Sequence, residues 1–373
     1  MKRRDFIKLP CLAVAGGAAA SLLPGMARAA GDEKTFLREA AWYIKRDKGA
    51  VACTLCPKGC IVQPGKSGWC GVRSNRDGTY YTRVFGRPVA LANDPIEKKP
   101  LNHFHPATDA LSLSTVGCNF ECRFCQNWEI SQSDPGDRAE PYGFVSPDKL
   151  VAMARQHGSK SIAFTYGEPV VFFEYMLEAA KKAKAAGILP VMITNGYINQ
   201  DPMDELLEVL AAVKVDFKAF DDGFYRKVCS GTLKPVLRTL ERIHKRGVWL
   251  EMVHLTVPTL NDAPEQIERL CKWVLDHLGP DVPIHFSRFH PTYKLRNLPP
   301  TPANTLVRAW VVARNAGLHY PYVGNMPGHE GENTHCHHCG ELLVRRVGYH
   351  VVKMRIQDGK CPACKTVIPG VWG

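Results

Sequence analysis

The spacing Cys118-x3-Cys122-x2-Cys125 constrains this chain more than any other feature. A closed structural zinc site asks for four ligands. Three cysteines at these intervals can instead reach three irons of one cubane cluster and leave the fourth iron open. The competing reading is a zinc knuckle that borrows a fourth ligand from elsewhere. The surroundings of the triplet favour the cubane. From about residue 109 to 323, short apolar or β-branched runs alternate with helical stretches. Strands are predicted over 111–116, 161–166, 189–194, 213–218, 249–256 and 284–289. Ser146-Pro147 opens one helix and Gly158 ends it; Asp201-Pro202 opens another; Gly187, Gly247 and Gly317 stand where helices stop. Strands separated by helices pair in parallel through right-handed crossovers. The expected fold class is therefore α/β, a partial (β/α)6 TIM-type barrel.

The residues with chemical side chains cluster at one end of these strands. The cysteine triplet follows the first strand, Tyr166-Gly167-Glu168-Pro169 the second and Thr194-Asn195-Gly196 the third. Asp216 and Lys218 end the fourth, Asn261 lies beyond the fifth, and His290 follows the sixth. That end is where α/β barrels hold their active sites. An open iron there can be chelated by the amine and carboxylate of a methionine moiety. An electron from the cluster then breaks the adjacent S–C5′ bond of S-adenosylmethionine (SAM), with the protein positioning the cofactor and excluding water. Phe124 is placed to stack on adenine. Glu168 is placed to accept from the SAM amino group, or is an acid favoured by the start of a helix. Asp216 and Lys218 alternate with Phe217 and so share a face, as catalytic groups or as a barrel-lining ion pair. Thr194-Asn195-Gly196 alone reads as an ordinary turn and His290 alone as a barrel histidine; their position adds both to the site.

The run Cys118-x3-Cys122-x-Phe124-Cys125-Gln126-Asn127, with Thr194-Asn195-Gly196 and Asp216-Phe217-Lys218, resembles the radical SAM superfamily and within it the pyruvate formate-lyase activating enzymes. Cys53-x2-Cys56-Pro57, Gly68-x-Cys70-Gly71-Val72-Arg73, Asp94-Pro95-Ile96-Glu97-Lys98-Lys99-Pro100-Leu101 and Gln126-Asn127-Trp128-x-Ile130-Ser131-Gln132 resemble its AmmeMemoRadiSam branch. The resemblance implies a [4Fe–4S] cluster on Cys118, Cys122 and Cys125. It also implies SAM contacts near Tyr166, Gly167, Glu168, Thr194, Asn195, Asp216, Lys218 and His290, a low-potential electron donor, and activase-like oxidoreductase chemistry on a protein.

Two further cysteine groups flank the core. Cys53, Cys56, Cys60 and Cys70 offer four ligands, to zinc or to a second cluster. Cys336-x2-Cys339 and Cys361-x2-Cys364 give a zinc-ribbon-like signal around a hairpin at 342–354, with rubredoxin-like iron as the other occupant. Cys229 and Cys271 read as plain buried thiols. The leader carries Arg3-Arg4, a short Ala/Gly-rich apolar stretch and Ala27-Arg28-Ala29, the pattern of a twin-arginine export signal. It suggests a periplasmic or membrane-associated location, whereas SAM chemistry suggests the cytoplasm. No transmembrane segment is expected in the mature chain. The organisation expected is 1–29 signal, 30–105 Cys-rich segment beginning with a helical stretch at 33–43, 106–325 core and 326–373 metal-binding module. The net charge is +12. Without a dense Lys/Arg run it does not favour nucleic acid. A radical RNA-modifying enzyme and an exported iron–sulfur electron carrier are the alternative functions.

Overall fold

The computed structural model describes residues 33–137 and 140–373, which belong to one compact unit; the expected export signal lies outside the described residues. An eight-stranded sheet dominates. Its strands are β1 Ala90–Pro95, β2 Asp109–Ser114, β3 Ser161–Phe164, β4 Leu189–Thr194, β5 Ala212–Phe217, β6 Trp249–Thr256, β7 Ile284–Arg288 and β8 Pro321–Gly324, neighbours in that order. Strands β2 to β8 run parallel, and β1 pairs antiparallel with β2. The connecting helices are α1 Pro147–Gln156, α2 Phe173–Ala185, α3 Gln200–Leu207, α4 Leu233–Lys245, α5 Pro264–His277 and α6 Ala303–Ala316. Six βα units followed by one more strand give the expected partial barrel, open between its first and last strands.

Local chemistry accounts for the elements. Parallel strands are covered on both faces and read as continuous apolar runs; β3 and all but the first residue of β2 are buried. Helix α1 starts where Ser146 Oγ accepts from the Lys149 N–H at 3.1 Å, with Pro147 in the first turn. Helix α4 buries Val236, Leu240 and Ile243, spaced four and three apart, as one apolar stripe.

The stretch 33–43 is not a helix. A 3-10 turn at Glu33–Phe36 leads into strands Arg38–Glu39 and Tyr43–Lys45, which join two small antiparallel sheets. The helix-favouring composition of this stretch gives way to sheet pairing and to burial of Phe36. The C-terminal hairpin is as expected: β9 Leu342–Val347 pairs antiparallel with β10 His350–Met354. No helix among the described residues is long and apolar enough to cross a membrane.

The barrel's open seam is filled from both flanks. Glu251 accepts from the backbone N–H groups of Asn102 (2.9 Å) and His103 (2.8 Å) and from His285 Nε2 (2.8 Å). His103 Nδ1 donates to the Pro369 carbonyl, and its Nε2 accepts from Tyr322 Oη on β8. Arg346 on β9 donates to the Asn102 carbonyl at 2.7 Å and to Thr334 Oγ1 at 2.8 Å. This network ties the loop after β1 and the tail to the barrel wall.

Candidate active site

A cavity of about 860 Å³ occupies the barrel and opens at the C-terminal ends of its strands. Its walls follow the two-residue period of β-structure: Lys214, Asp216 and Lys218 at β5, Val253 and Leu255 on β6, His285 and Ser287 on β7. The tail adds Arg346 to His350, and the loop after β1 adds Lys98, Lys99 and Asn102.

Cys118, Cys122 and Cys125 all line this cavity. Gly117 turns the chain out of β2 at φ +98; a Cβ there would meet Val72 Cγ1 at 2.6 Å and the Cys70 carbonyl oxygen at 3.0 Å. Backbone N–H groups of Glu121 and Arg123 donate to the carbonyls of Cys229 and Val228, so the Tyr225–Cys229 stretch holds the cysteine loop from outside. The thiols lie in different surroundings. Burial, followed by the Glu168 carboxylate, pushes Cys118 well up; burial also raises Cys125, which sits 3.2 Å from Ser131 Oγ. A hydrogen bond with Cys229 brings Cys122 below the usual thiol range. Cys229 is fully buried, as the sequence suggests, and adds a neighbour to Cys122.

Glu168 sits opposite. Its Oε1 accepts from Thr194 Oγ1 (2.6 Å) and the Val170 N–H (3.1 Å), and its Oε2 from the Asn195 N–H (2.8 Å). Burial raises its pKa to about 7 despite these bonds. Asn195 Nδ2 also donates to Asn119 Oδ1 at 2.8 Å, tying the turn after β4 to the cysteine loop. Gly167 has no room for a side chain, because a Cβ would stand 2.7 Å from Ser114 Oγ. Tyr166 takes a left-handed φ of +63 and donates to Asp94, which also accepts from Lys98 (2.7 Å) and Lys99 (2.6 Å). A non-glycine residue in that conformation is strained, and such strain collects at functional sites. Burial lowers Lys99 to about 8.

On β5, Asp216 bridges Lys214 and Lys218, contacting the first closely and the second at 3.5 Å. Burial would neutralise Asp216, but the two ammonium groups hold it below its ordinary range. Phe124 is buried, with Lys218 Nζ 6.0 Å from its ring centre. Asn261 does not line the cavity. Its side chain donates to the carbonyls of Lys218 (2.6 Å) and Leu255 (2.9 Å), fixing the ends of β5 and β6.

His290 departs from expectation. It is exposed and absent from the cavity wall, because β7 ends at Arg288 and Phe289 buries its ring while its N–H binds Thr301 Oγ1. His285 and Ser287 take the inward places on that strand. Lys214 was equally legible by alternation with Asp216 and Lys218. The contributions of Arg346 and Tyr349 have no local sequence signal.

The donor set fits an iron–sulfur cluster carrying a small organic ligand. Three thiols share one loop, a buried carboxylate faces them, and glycines at 117 and 167 let backbone approach closely. In the tail, Cys336, Cys339, Cys361 and Cys364 place their sulfurs within 4.8 Å of one another, with Cys336–Cys364 at 3.6 Å and Cys339–Cys361 at 3.7 Å. A tetrahedron with metal–sulfur bonds of about 2.3 Å has edges of about 3.8 Å, so this site is preformed for one tetrahedral metal ion.

Residues 112–274 match the Radical SAM superfamily. An uncharacterised protein of Methanocaldococcus jannaschii is 43% identical over 330 residues, covering 88% of this chain and 98% of its own length. The pyruvate formate-lyase-activating enzyme of Clostridium pasteurianum is 23% identical over 197 residues, 49% of this chain and 80% of that enzyme. Among solved structures, a radical SAM methyltransferase from Sphaerobacter thermophilus aligns with a TM-score of 0.47 at 14% identity, over 82% of this chain and 81% of that one. With the cysteine loop and its cavity in place, the chain belongs to the radical SAM superfamily.

Proposed function

We propose that this enzyme binds a [4Fe–4S] cluster on Cys118, Cys122 and Cys125, cleaves SAM reductively and abstracts a hydrogen atom from a protein substrate, an activase-like oxidoreductase. The observation that carries the reading is the convergence of the three thiols, Glu168 and the Lys214–Asp216–Lys218 ladder on one cavity. When bound, cluster and SAM supply the one-electron cleavage of the S–C5′ bond that yields a 5′-deoxyadenosyl radical.

The chain's own groups do the positioning. Glu168, held by three donors, accepts from the SAM ammonium, whose charge keeps the buried carboxylate ionised. Lys214 and Lys218 outnumber Asp216, so the ladder presents net positive charge to the SAM carboxylate. Phe124 gives adenine an apolar face, and Tyr166, fixed by Asp94, closes the opposite wall. The substrate carbon that gives up its hydrogen atom would lie in this same cavity, shielded from water by these walls. A protein substrate is supported by the likeness to an enzyme named for activating pyruvate formate-lyase. It is supported too by the exposed Tyr349 at the cavity rim, which offers apolar surface to a chain entering the mouth. A low-potential donor protein completes the requirement, and zinc is the occupant proposed for the tail.

The test is anaerobic reconstitution with iron and sulfide, addition of dithionite and SAM, and detection of 5′-deoxyadenosine by mass spectrometry. The wild type should form it, and the Cys118→Ala, Cys122→Ala, Cys125→Ala triple variant should not. An intact cluster with no product would sink the reading.

A further inference from the structure

Four thiols of the N-terminal lobe stand beside the cysteine loop without belonging to the site above. Cys53 ends the strand Val51–Cys53, and its N–H donates to the Cys60 carbonyl at 2.9 Å. Cys56 and Cys70 occupy the intervening and following turns. The Trp69 N–H reaches the Cys60 sulfur at 3.4 Å, which brings the turn of Cys70 up to Cys60. Yet among the described residues only the tail's four cysteines bring three or more such ligand atoms within 4.8 Å of one another. Neither the lobe sulfurs nor those of Cys118, Cys122 and Cys125 close into a group as tight as the tail's. Four thiols not drawn in to single-ion distances suit a cubane cluster with every iron held.

Two further observations agree. Arg73 is 1% exposed and gives both terminal nitrogens to Glu174, at 2.7 and 2.9 Å. Its buried Nε–H has no partner among the described residues, and Cys53 and Cys70 are its neighbours. A buried donor left unmade is costly, and cluster or thiolate sulfur would accept it. The lobe also abuts the mouth. A Cβ on Gly117 would touch the Cys70 carbonyl at 3.0 Å; with consecutive Cα atoms about 3.8 Å apart, the Cα of Cys118 lies within about 11 Å of that of Cys70. Lys58 spans the two: its ammonium donates to the Ser230 carbonyl, next to Cys229, and stands 3.9 Å from the ring centre of Trp69, next to Cys70. On the outer side, Ile61 and Trp69, sequence neighbours of Cys60 and Cys70, are 70% and 51% exposed, leaving the centre close to solvent.

We infer that Cys53, Cys56, Cys60 and Cys70 hold a second [4Fe–4S] cluster that passes electrons to the cluster at the mouth. The relay, though not the second cluster itself, rests on the function proposed above. In the step, one electron leaves the reduced lobe cluster, which is oxidised by one, and enters the mouth cluster, which is reduced by one. A low-potential one-electron carrier protein, of flavin or iron–sulfur type, re-reduces the lobe. No bond or proton changes hands.

The experiment uses the full chain, reconstituted anaerobically with iron, sulfide and zinc, as wild type and as the mouth triple alanine variant. The wild type should hold about eight irons and eight sulfides, and the triple variant about four of each, reducible by dithionite with its own EPR signal. Reduced wild type should show magnetic coupling between two paramagnets, lost in the variant. Pre-reduced wild type freed of dithionite should form more than one 5′-deoxyadenosine per chain. Four irons in wild type, none in the variant and two zinc ions per chain would overturn the inference even if SAM were cleaved. Two clusters without SAM cleavage would instead overturn the proposed function and leave the second cluster standing.

Discussion

The tail and the mouth are both built from closely spaced cysteines, and they could hardly be organised more differently. The tail's sulfurs sit 3.6 and 3.7 Å apart in crossed pairs, a tetrahedron complete before any metal arrives. The mouth offers three thiols on one loop beside a cavity of about 860 Å³. A filled coordination shell can only brace, whereas an incomplete one leaves a position for chemistry. The contrast lies in what surrounds the cysteines as much as in their number. The tail packs them against a small cluster of Tyr320, Leu343, Val344 and Ile368, and the mouth faces them with a buried carboxylate and a charged ladder.

Breaking the tail should give the largest structural effect. Cys361 is fully buried. In Cys361→Ser the tail should lose about one metal ion per chain, and the hairpin β9–β10 should lose its hydrogen-exchange protection, because a structural metal supplies folding free energy on the order of 10 kcal/mol to such modules. The iron–sulfur absorbance of the mouth should persist. Retention of both metal and protection would erase the distinction between the two regions.

Glu168→Gln sharpens the other half. A hydrogen bond to a charged group contributes about 1.5–3 kcal/mol, so the KM for SAM should rise roughly 10- to 100-fold. The pH profile separates charge from shape. Burial lifts Glu168 to about 7, so below that pH the carboxyl is neutral and cannot pair with an ammonium. Wild-type affinity for SAM should therefore improve as pH rises from 6 towards 7.5, and the Glu168→Gln profile should be flat there. A variant that keeps the wild-type slope would assign the titration elsewhere.

Much of this was readable from sequence for physical reasons, and the gaps have physical reasons too. Buried parallel strands are runs of apolar residues, and glycines at 158, 187, 247 and 317, all at positive φ, stop the helices where expected. Strand β1, Ala-Leu-Ala-Asn-Asp-Pro, hides because it is half-exposed and polar; Pro95 is tolerated since the strand is an edge. Strand β8, Pro-Tyr-Val-Gly, begins with proline and ends with glycine, residues that mark a turn more than a strand. The cavity wall supplied by Arg346 and Tyr349 depends on docking the tail across the seam, a contact more than two hundred residues from Asn102 in the chain. Nothing local encodes that.

The smallest expected effect tests the boundary of the site. Sequence position placed His290 with the mouth residues, since it follows the sixth predicted strand, yet the backbone places it in solvent. An exposed side chain without buried contacts changes free energy by about 0.5 kcal/mol or less when truncated. His290→Ala should therefore keep the KM for SAM within about twofold of wild type, the equivalent of that energy. A tenfold rise would mean that the segment after β7 folds over the mouth when SAM binds. His290 would then join the wall that His285 and Ser287 line here, and position along the strand would have been a better guide than the open geometry.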